Sequence, residues 1–177
     1  MKIIEAKNLA ISLMDKHITT NRSLWKFDWQ NGLRRLGRCH WNGSKLYGIS
    51  GGGTIYLTID YVVHASIEEV TKTMLHEIAH TIAGPQAGHN YHWRSICRSI
   101  GGDGQRLANV EANEGTKVLL EMAKVWEGTC GRPDCDFTIH RTRLTARSKG
   151  GYCPRCFNKA QRENNLMSAK IVWRKKR

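Results

Sequence analysis

The sequence predicts an α+β protein, with a small sheet and a long helix in its larger N-terminal part and a short β module at its C-terminal end. Three observations point to this class. Apolar residues recur at three- and four-residue steps between Ser66 and Gly84, which is the period of an amphipathic helix. Short segments of alternating apolar residues precede this helix, and two cysteine pairs follow it. The 177 residues suffice for one moderate core and a small appended module, with an expected boundary between domains 1–127 and 128–177.

The N-terminal segment predicts one helix and then short strands. The helix is expected over residues 4–16, with Leu9, Leu13 and Ile18 on its apolar side. Aromatic residues alternate over residues 25–29, as in an edge strand or a segment that packs against this helix. The other elements expected in the sheet are strands 37–41, 46–50 and 54–58 and a hairpin turn at Asn42-Gly43.

The mid-chain helix has clear signals at both ends. Ser66 and Glu69 have the spacing of a capping box, in which each side chain bonds a backbone N–H near the other residue. Gly84-Pro85 ends the helix, because glycine permits a left-handed cap and proline cannot continue the hydrogen-bond ladder. The stripe expected to face the core is Ile67, Val70, Met74, Ile78 and Ile82.

This helix carries the sequence His76-Glu77-Ile78-Ala79-His80. Residues four apart share a helix face, so His76 and His80 can bind one metal ion while Glu77 projects beside it. Three protein ligands leave the fourth position of a zinc ion to water, and a nearby carboxylate can take the proton of that water. The pattern indicates a zinc hydrolase with Glu77 as its general base.

A third ligand is expected after the turn at Gly84, where His89 and His92 are the candidates. Gly88 favours His89, because a glycine lets the backbone approach the metal closely. His92 would lie one turn along any helix that starts near Tyr91. The alternative for either histidine is a surface position in a polar loop.

Further motifs flank the helix on both sides. They are Ala83-Gly84-Pro85, Gly88-His89, Trp93, Ile100-Gly101-Gly102, and, upstream, Arg34-Arg35-Leu36-Gly37-Arg38-Cys39 and Ile49-Ser50. Together with the histidine motif they resemble the SprT-like (Spartan-type) metallopeptidases over residues 1–156. The segment 34–39 looks like the first sheet strand of that family, and Ile49-Ser50 like the end of the next. His92 and Gly51-Gly52-Gly53 depart from the family pattern, the latter as a small insertion.

The resemblance implies a zincin-like metallopeptidase core in which His76, His80 and His89 bind the catalytic zinc and Glu77 is the base. It also implies proteolysis of proteins that are bound or crosslinked to DNA. Two other functions stay open, because a fold does not fix a function. One is a nucleic-acid-binding zinc protein with a non-proteolytic zincin scaffold, and the other is a zinc hydrolase of non-protein substrates.

Four of the six cysteines have the spacing of a structural zinc site. The first pair encloses four residues, the second pair two, and the gap of 17 residues between the pairs suffices for a β-hairpin. Two disulfides are the alternative and would require an oxidising compartment. Cys39 and Cys97 are expected to be small buried apolar residues. The predicted ligands of a second, structural zinc ion are Cys130, Cys135, Cys153 and Cys156.

The formal charge of +13 lies mainly in the C-terminal module. Residues 1–127 hold 15 Lys and Arg against 12 Asp and Glu, whereas residues 128–177 hold 13 against 3. Such a basic surface binds phosphate backbones with little sequence preference, although it can also serve solubility alone. The resemblance favours DNA over RNA. The predicted nucleic-acid contacts are Arg141, Arg143, Arg147, Lys149, Arg174, Lys175, Lys176 and Arg177.

Several remaining segments carry weaker signals. A second helix is expected from Trp93 to Ile100, with Ile96 and Ile100 against the metal helix, and a closing ribbon strand over residues 166–172. Residues 117–126 read equally well as helix or strand. The first 17 residues lack the apolar core of a signal peptide, so an intracellular protein, cytoplasmic or nucleoid-associated and with no membrane partner, is expected. The aromatic residues on which bases could stack are Phe137, Tyr152, Phe157 and Trp173.

Overall fold

A computed structural model describes residues 1–42, 52–108 and 113–176. The chain divides into two compact units, Met1–Leu120 and Glu121–Arg177, each with a three-stranded sheet. The expected boundary after residue 127 lies inside the second of these units. In the described part of the chain, no helix combines the length and the apolarity that crossing a membrane requires.

The N-terminal unit contains a mixed sheet of strands β1 (Trp25–Gln30), β2 (Gly37–Trp41) and β3 (Gly53–Thr58). β3 is central, with β1 parallel and β2 antiparallel to it. The predicted strands at 37–41 and 54–58 are confirmed, and the alternating aromatic residues form the edge strand β1. The resemblance placed the first strand at 34–39, which is wrong, because β1 precedes it and β2 begins only at Gly37. The expected strand at 46–50 and the expected turn that includes Gly43 lie outside the described residues.

Within the described residues five helices accompany this sheet, and the last of them continues past the division between the units. The predicted first helix is confirmed within one residue at each end, and the helix after Trp93 begins two residues earlier than expected. A 3₁₀ turn at Arg22–Leu24 leads into β1. The helices are α1 (Ile3–His17), α2 (Ile59–Val62), α3 (Ile67–Ala83), α4 (Tyr91–Ser99) and α5 (Glu114–Met122).

The core of this unit lies between the sheet and the helices α1 and α3. α1 buries Ala6, Ala10 and Met14 completely, whereas Leu9 and Leu13 are only partly buried. Of the expected apolar side, Ile18 is a member of the core cluster, and Leu9 and Leu13 pack against that cluster while partly buried. Small alanines let a helix approach its neighbours closely, and Ala6 and Ala10 occupy fully buried positions of α1.

The stripe predicted on α3 is confirmed at its centre and wrong at its ends. Val70, Met74 and Ile78 are fully buried, while Ile67 is 55% and Ile82 42% exposed. Both exposed isoleucines lie in the terminal turns of the helix, beyond the residues that join the core cluster. The capping box at Ser66 and the helix end at Gly84 are present as predicted.

The C-terminal unit is built on an antiparallel sheet of β4 (Trp126–Cys130), β5 (Thr138–Arg141) and β6 (Ile171–Lys175), with β4 in the centre. The ambiguous segment 117–126 is helix through Met122 and strand from Trp126. The closing strand predicted over 166–172 begins late, because its first residues form a 3₁₀ turn. The other elements are α6 (Ala146–Lys149), α7 (Phe157–Arg162) and that turn (Leu166–Ala169).

Candidate metal centres and nucleic-acid interface

Three histidine side chains converge at the C-terminal end of α3. His76 and His80 lie one turn apart on α3, and His89 lies in the connection to α4. Two glycines with positive φ shape this connection, Gly84 at +90° and Gly88 at +54°. The connection therefore uses backbone conformations that other residues rarely adopt, and it returns His89 to the helix.

The spacing of the ring nitrogens suits a metal ion. His89 Nε2 lies 3.0 Å from His76 Nε2 and 3.2 Å from His80 Nε2, and one nitrogen of each ring lies within 4.8 Å of the others. Tetrahedral zinc with Zn–N bonds of about 2.0–2.1 Å requires nitrogens roughly 3.3 Å apart. His92 is exposed and does not belong to this group. Of the two candidates for the third ligand, the structure thus brings only His89 to the helix pair.

Burial keeps these imidazoles neutral. It lowers the pKa of His76 to about 4 and that of His80 to about 3, with further lowering by the neighbouring histidines. Burial also lowers the pKa of His89, and Arg106 and Arg94 add to this effect. Since a metal ion binds the neutral imidazole, no proton has to be displaced from these rings at neutral pH.

Trp93 packs against all three histidines. Its ring is fully buried, lies 5.2 Å from the His80 ring in a stacked arrangement, and meets the His76 and His89 rings edge to face at 4.7 and 4.5 Å. Asn90 caps α4 by accepting a hydrogen bond from the Trp93 N–H at 3.0 Å. That cap explains why α4 begins at Tyr91, and it fixes the start of the helix that carries Trp93. Trp93 and Cys97 form the buried face of α4, whereas Ile96 and Ile100, the residues expected there, are only partly buried.

The Glu77 side chain projects from α3 toward strand β2. Its side chain is 7% exposed, and the Cys39 backbone N–H donates a hydrogen bond to its carboxylate. Burial raises the pKa of Glu77 to about 7, against the opposing effects of that hydrogen bond and of Arg35. A carboxylate in this range can gain and lose a proton near neutral pH.

Strand β2 leaves room for this carboxylate at Gly37. A Cβ atom at that position would lie 3.0 Å from Glu77 Cγ and Oε1 and 3.1 Å from Thr73 Cγ2. Thr58 fixes the preceding residues, since its N–H donates to Leu36 O at 2.9 Å and its hydroxyl donates to Arg35 O. Sequence reasoning missed the roles of Gly37, Cys39 and Thr58, because Gly37 and Cys39 meet Glu77 from a distant part of the chain and Thr58 bonds the segment before Gly37 across the sheet.

A cavity of about 420 Å³ opens beside His76 and Glu77. Its walls come from α3, α5, the segment before β2 and the segment that follows α4. Four exposed cations, none of which makes an ion pair within the described ranges, belong to its lining: Arg34, Arg35, Lys72 and Arg106.

The four predicted cysteine ligands also come together. Their sulfur atoms lie within 4.8 Å of one another, and Cys135 Sγ is 3.8 Å from Cys153 Sγ. Zinc with Zn–S bonds of about 2.3 Å places tetrahedral sulfurs roughly 3.8 Å apart, whereas a disulfide would place them about 2.0 Å apart. All six cysteines lie in described segments and none is disulfide-bonded, so the tetrathiolate interpretation fits and the two-disulfide alternative does not.

The thiol groups receive the backbone hydrogen bonds expected at a metal-binding turn. Arg132 N–H donates to Cys130 Sγ at 3.5 Å, and the Phe137 N–H bonds to Cys135 and lowers the pKa of that thiol. On the other side, the N–H groups of Cys156 and Phe157 bond to Cys153 O at 3.2 and 2.9 Å and close the second turn. Cys97, outside this set, is 1% exposed as expected, while Cys39 is only partly buried.

The acidic groups of the C-terminal unit pair with side chains other than the predicted nucleic-acid contacts. Glu121 bonds Lys124, Glu127 bonds His140 and Asp136 bonds Arg155, while Asp134 and Glu163 share Arg132. Seven of the predicted contacts are exposed and make no ion pair with any described residue, and Arg177 lies outside the described part of the chain. The seven are Arg141, Arg143, Arg147, Lys149, Arg174, Lys175 and Lys176.

Several of these cations share one face of the ribbon sheet. Trp126 pairs with Arg141 on one side and with Lys175 on the other, so the three side chains point to the same face. Trp173 lies on this face as well, and its Nε1–H donates to Ser148 O at 3.0 Å, which places α6 and its Arg147 and Lys149 over the sheet.

The aromatic residues predicted for base stacking differ in availability. The Trp173 ring lies over Gly128 and is partly buried, and Tyr152 and Phe157 contact each other at 5.9 Å between ring centroids. Phe137 is partly buried, and the Arg155 guanidinium lies 5.8 Å from the centre of its ring. Sequence reasoning missed Trp126, which is partly exposed between two unpaired cations, since only the strand register reveals its neighbours.

Comparison with known proteins agrees with this geometry. The model of the SprT-like family matches residues 8–114, which is more than half of the chain and includes the three histidines and Glu77. No curated protein matches the sequence. The matched range ends before the cysteine cluster begins. The chain belongs to the SprT-like family.

Proposed function

We propose that this protein is a zinc-dependent metalloendopeptidase that is tethered to DNA and cleaves proteins bound or crosslinked to it. Membership of the SprT-like family indicates a metallopeptidase-like protein. The observation that carries the proposal is the buried Glu77 carboxylate beside three converging, neutral imidazoles. The core is then zincin-like, with zinc at His76, His80 and His89 and a second zinc at the four cysteines.

The residues of the chain have distinct tasks in this reaction. His76, His80 and His89 would hold the zinc ion, which when bound would lower the pKa of a water molecule to about 7 and polarise a carbonyl group. Glu77 accepts a proton from the attacking water and passes it to the leaving amine. Cys39 N–H and the space at Gly37 hold the carboxylate in place. Trp93 holds the three imidazoles in one orientation.

A matched pair of variants tests the catalytic step. Casein and histone cleavage is measured with and without DNA for the wild type, Glu77→Gln and Glu68→Gln. Glu68 is an exposed carboxylate in the first turn of the same helix. Loss of the base at Glu77 should slow cleavage about 10²- to 10⁴-fold with no loss of metal, whereas Glu68→Gln should cleave like the wild type. Full activity of Glu77→Gln would refute the assignment of the base.

The proposal of DNA binding rests on the unpaired cations of the C-terminal unit. Neutralising three of them in the variant Arg147→Gln, Lys149→Gln, Lys175→Gln should weaken DNA binding and flatten its salt dependence. Each lost phosphate contact reduces the slope of log K against log salt by roughly 0.7–0.9.

A control variant removes the same charge from cations that are already paired. Lys124, Arg155 and Lys159 contact Glu121, Asp136 and Asp134, respectively. Their replacement by glutamine should change the slope much less. Equal effects of the two triple variants would mean that net charge alone drives binding. Unchanged DNA binding in both variants would mean that the C-terminal unit is not the DNA tether.

A further inference from the structure

The three histidines of the proposed metal site present the same ring nitrogen to one another. His89 Nε2 lies 3.0 Å from His76 Nε2 and 3.2 Å from His80 Nε2. A neutral imidazole carries one proton, so its Nε2 can bind a metal ion only when that proton lies on Nδ1. A group that accepts a hydrogen bond from Nδ1–H therefore fixes the tautomer that the metal ion requires.

The backbone of Gln105 supplies such a group to His76. Burial and the charge of His89 lower the pKa of His76, and a hydrogen bond with the Gln105 backbone opposes them. A bond that favours the protonated imidazole is one that the ring donates, so the acceptor is the Gln105 carbonyl oxygen. Since His76 Nε2 faces the other histidines, the donor is Nδ1–H. The cavity places the same segments side by side, because its lining includes His76, Asp103 and Gln105.

A tight turn sets the position of Gln105. The Gln105 N–H donates to Asp103 Oδ1 at 2.8 Å, which closes an Asx turn around Gly104. Gly104 has φ +68°, a left-handed conformation that glycine adopts without strain. A Cβ atom there would lie 2.9 Å from Arg98 Nε and 3.4 Å from Arg94 O, so the turn also fits closely against α4. The turn therefore fixes the place from which Gln105 presents its carbonyl to His76.

Helix α4 anchors the segment that leads into this turn. Gly102 N–H donates to Cys97 O at 2.8 Å, and Gly104 N–H bonds the Cys97 thiol. A Cβ atom at Gly102 would lie 2.5 Å from Cys97 Sγ, so a larger residue there would force a shift. Cys97 is 1% exposed and forms a buried cluster with Trp93, the residue that contacts all three imidazoles. The turn and the tryptophan are thus fixed to the same helix.

We propose that Asp103 is a positioning residue of the metal site, whose turn holds the Gln105 carbonyl against His76 Nδ1–H and so directs the His76 Nε2 lone pair at the metal ion. This inference rests on the proposed function, because it takes zinc to bind at the histidines. The Asp103 carboxylate also acts on His76 through its charge, after burial, His89 and the Gln105 bond in order of size. Asparagine separates the turn from the charge, because it offers the same side-chain oxygen without the charge, whereas alanine offers neither.

Metal affinity is the first test. The cobalt(II) affinity of the histidine site is compared in the wild type, Asp103→Ala, Asp103→Asn and the control Asp28→Ala. Asp28 is exposed like Asp103, and its Oδ1 accepts the Trp29 N–H at 2.8 Å, but it lies on β1 outside the cavity lining. Asp103→Ala should lose affinity about 10-fold, the lower end of the range for groups that orient metal ligands, because the carbonyl is displaced and not removed.

The other variants decide what the turn contributes. Asp103→Asn and Asp28→Ala should bind cobalt(II) like the wild type. Gly104→Ala strains the turn without changing its charge, so it should lose affinity as Asp103→Ala does. Equal losses in Asp103→Ala and Asp103→Asn would mean that the charge acts on the site, and wild-type affinity in Asp103→Ala would mean that the turn has no effect. Either result would overturn the proposal.

The position of the His76 proton separates this inference from the proposed function. Long-range proton–nitrogen NMR spectra, recorded with the histidine site emptied by a chelator, show which ring nitrogen carries the proton. Nδ1–H in the wild type and a mixture of tautomers in Asp103→Ala would support the positioning role. They would do so even if the histidines bound no cobalt(II), a result that would reject the zinc site alone. The same tautomers in both proteins would overturn the positioning role; cobalt(II) binding would then still support the zinc site, and its absence would overturn both.

Discussion

Replacing Trp93 by leucine should weaken metal binding at the histidines more than it weakens the fold. The ring contacts three imidazoles at centroid distances of 4.7, 5.2 and 4.5 Å. Aromatic pairs contribute about 0.5–1.5 kcal/mol each beyond the area they bury, so the three contacts are worth roughly 1.5–4.5 kcal/mol in total. The part of this free energy that holds the imidazoles in their rotamers should raise the metal affinity of the site. Residues that orient metal ligands typically raise metal affinity about 10- to 100-fold, and we expect Trp93→Leu to lose affinity by a factor in that range.

Trp25→Leu is the matched control. Trp25 is 4% exposed, belongs to the main core, and makes its aromatic contact with Trp41 at 4.7 Å rather than with a histidine. Both substitutions remove a buried indole. A Trp→Ala change typically costs about 3–5 kcal/mol of stability, and we expect a smaller loss here because leucine leaves a smaller cavity than alanine. Only Trp93→Leu should reduce the affinity of the histidine site.

Cobalt(II) titration against a competing chelator measures the affinity of the histidine site. Cobalt at the cysteine site gives a thiolate charge-transfer absorption that cobalt at the histidine site lacks, so the two sites can be followed separately. Thermal unfolding of the metal-free proteins measures stability separately. Wild-type affinity in Trp93→Leu would show that the histidines need no help from the tryptophan. An equal loss of affinity in both variants would mean that metal binding merely follows the stability of the unit.

Three further predictions concern the base, the cysteines and the histidine pKa values. Gly37→Ala should lower kcat several-fold by displacing Glu77 while leaving the melting temperature nearly unchanged. Gly150→Ala, where a Cβ meets only ordinary contacts, is the control. Unchanged kcat in Gly37→Ala would exclude the crowding effect. Cys153→Ser should reduce the zinc content from two equivalents to one by elemental analysis, and retention of both would argue against the tetrathiolate site. Metal-free protein should become less stable to urea as the pH falls from about 6.5 to 5, because the unfolded chain takes up protons at three histidines whose native pKa values are lower. Glu77 contributes in the opposite direction, since its native pKa is raised, but one carboxylate only partly offsets three histidines; a flat profile would contradict the prediction.

Local signals made the helix ends and the clustered histidines and cysteines predictable. The capping box at Ser66, the end at Gly84 and the paired cysteines all depend on residues within a few positions of one another. Strands 37–41 and 54–58 followed from alternation for the same reason. Such patterns act through backbone geometry over short separations, so a single sequence contains them.

Contacts between distant segments were not predictable. Gly37 and Cys39 meet Glu77 across 38 to 40 positions of sequence, and Thr116 joins the lining of the cavity only because α5 packs on the unit. The apolar face of α1 illustrates the same limit. Its alanine and leucine stripes are both helical in period, and only the packed structure shows that the alanines are the more deeply buried. Trp126 likewise acquires its cationic neighbours through strand register.

The two proposed metal centres stand in different relations to folding. The N-terminal unit has a core cluster of 14 buried residues among those that the structure describes, and its histidines lie beside that core, so the unit can remain folded without a metal ion. The C-terminal unit spans residues 121–177, and its few buried residues include Cys130 and Cys153 themselves. A segment of this size buries too little apolar surface to fold well alone, so the free energy of metal binding becomes part of its folding free energy. A chelator should therefore stop catalysis by emptying the histidine site while the N-terminal unit stays folded, but should abolish the tether by unfolding the C-terminal unit.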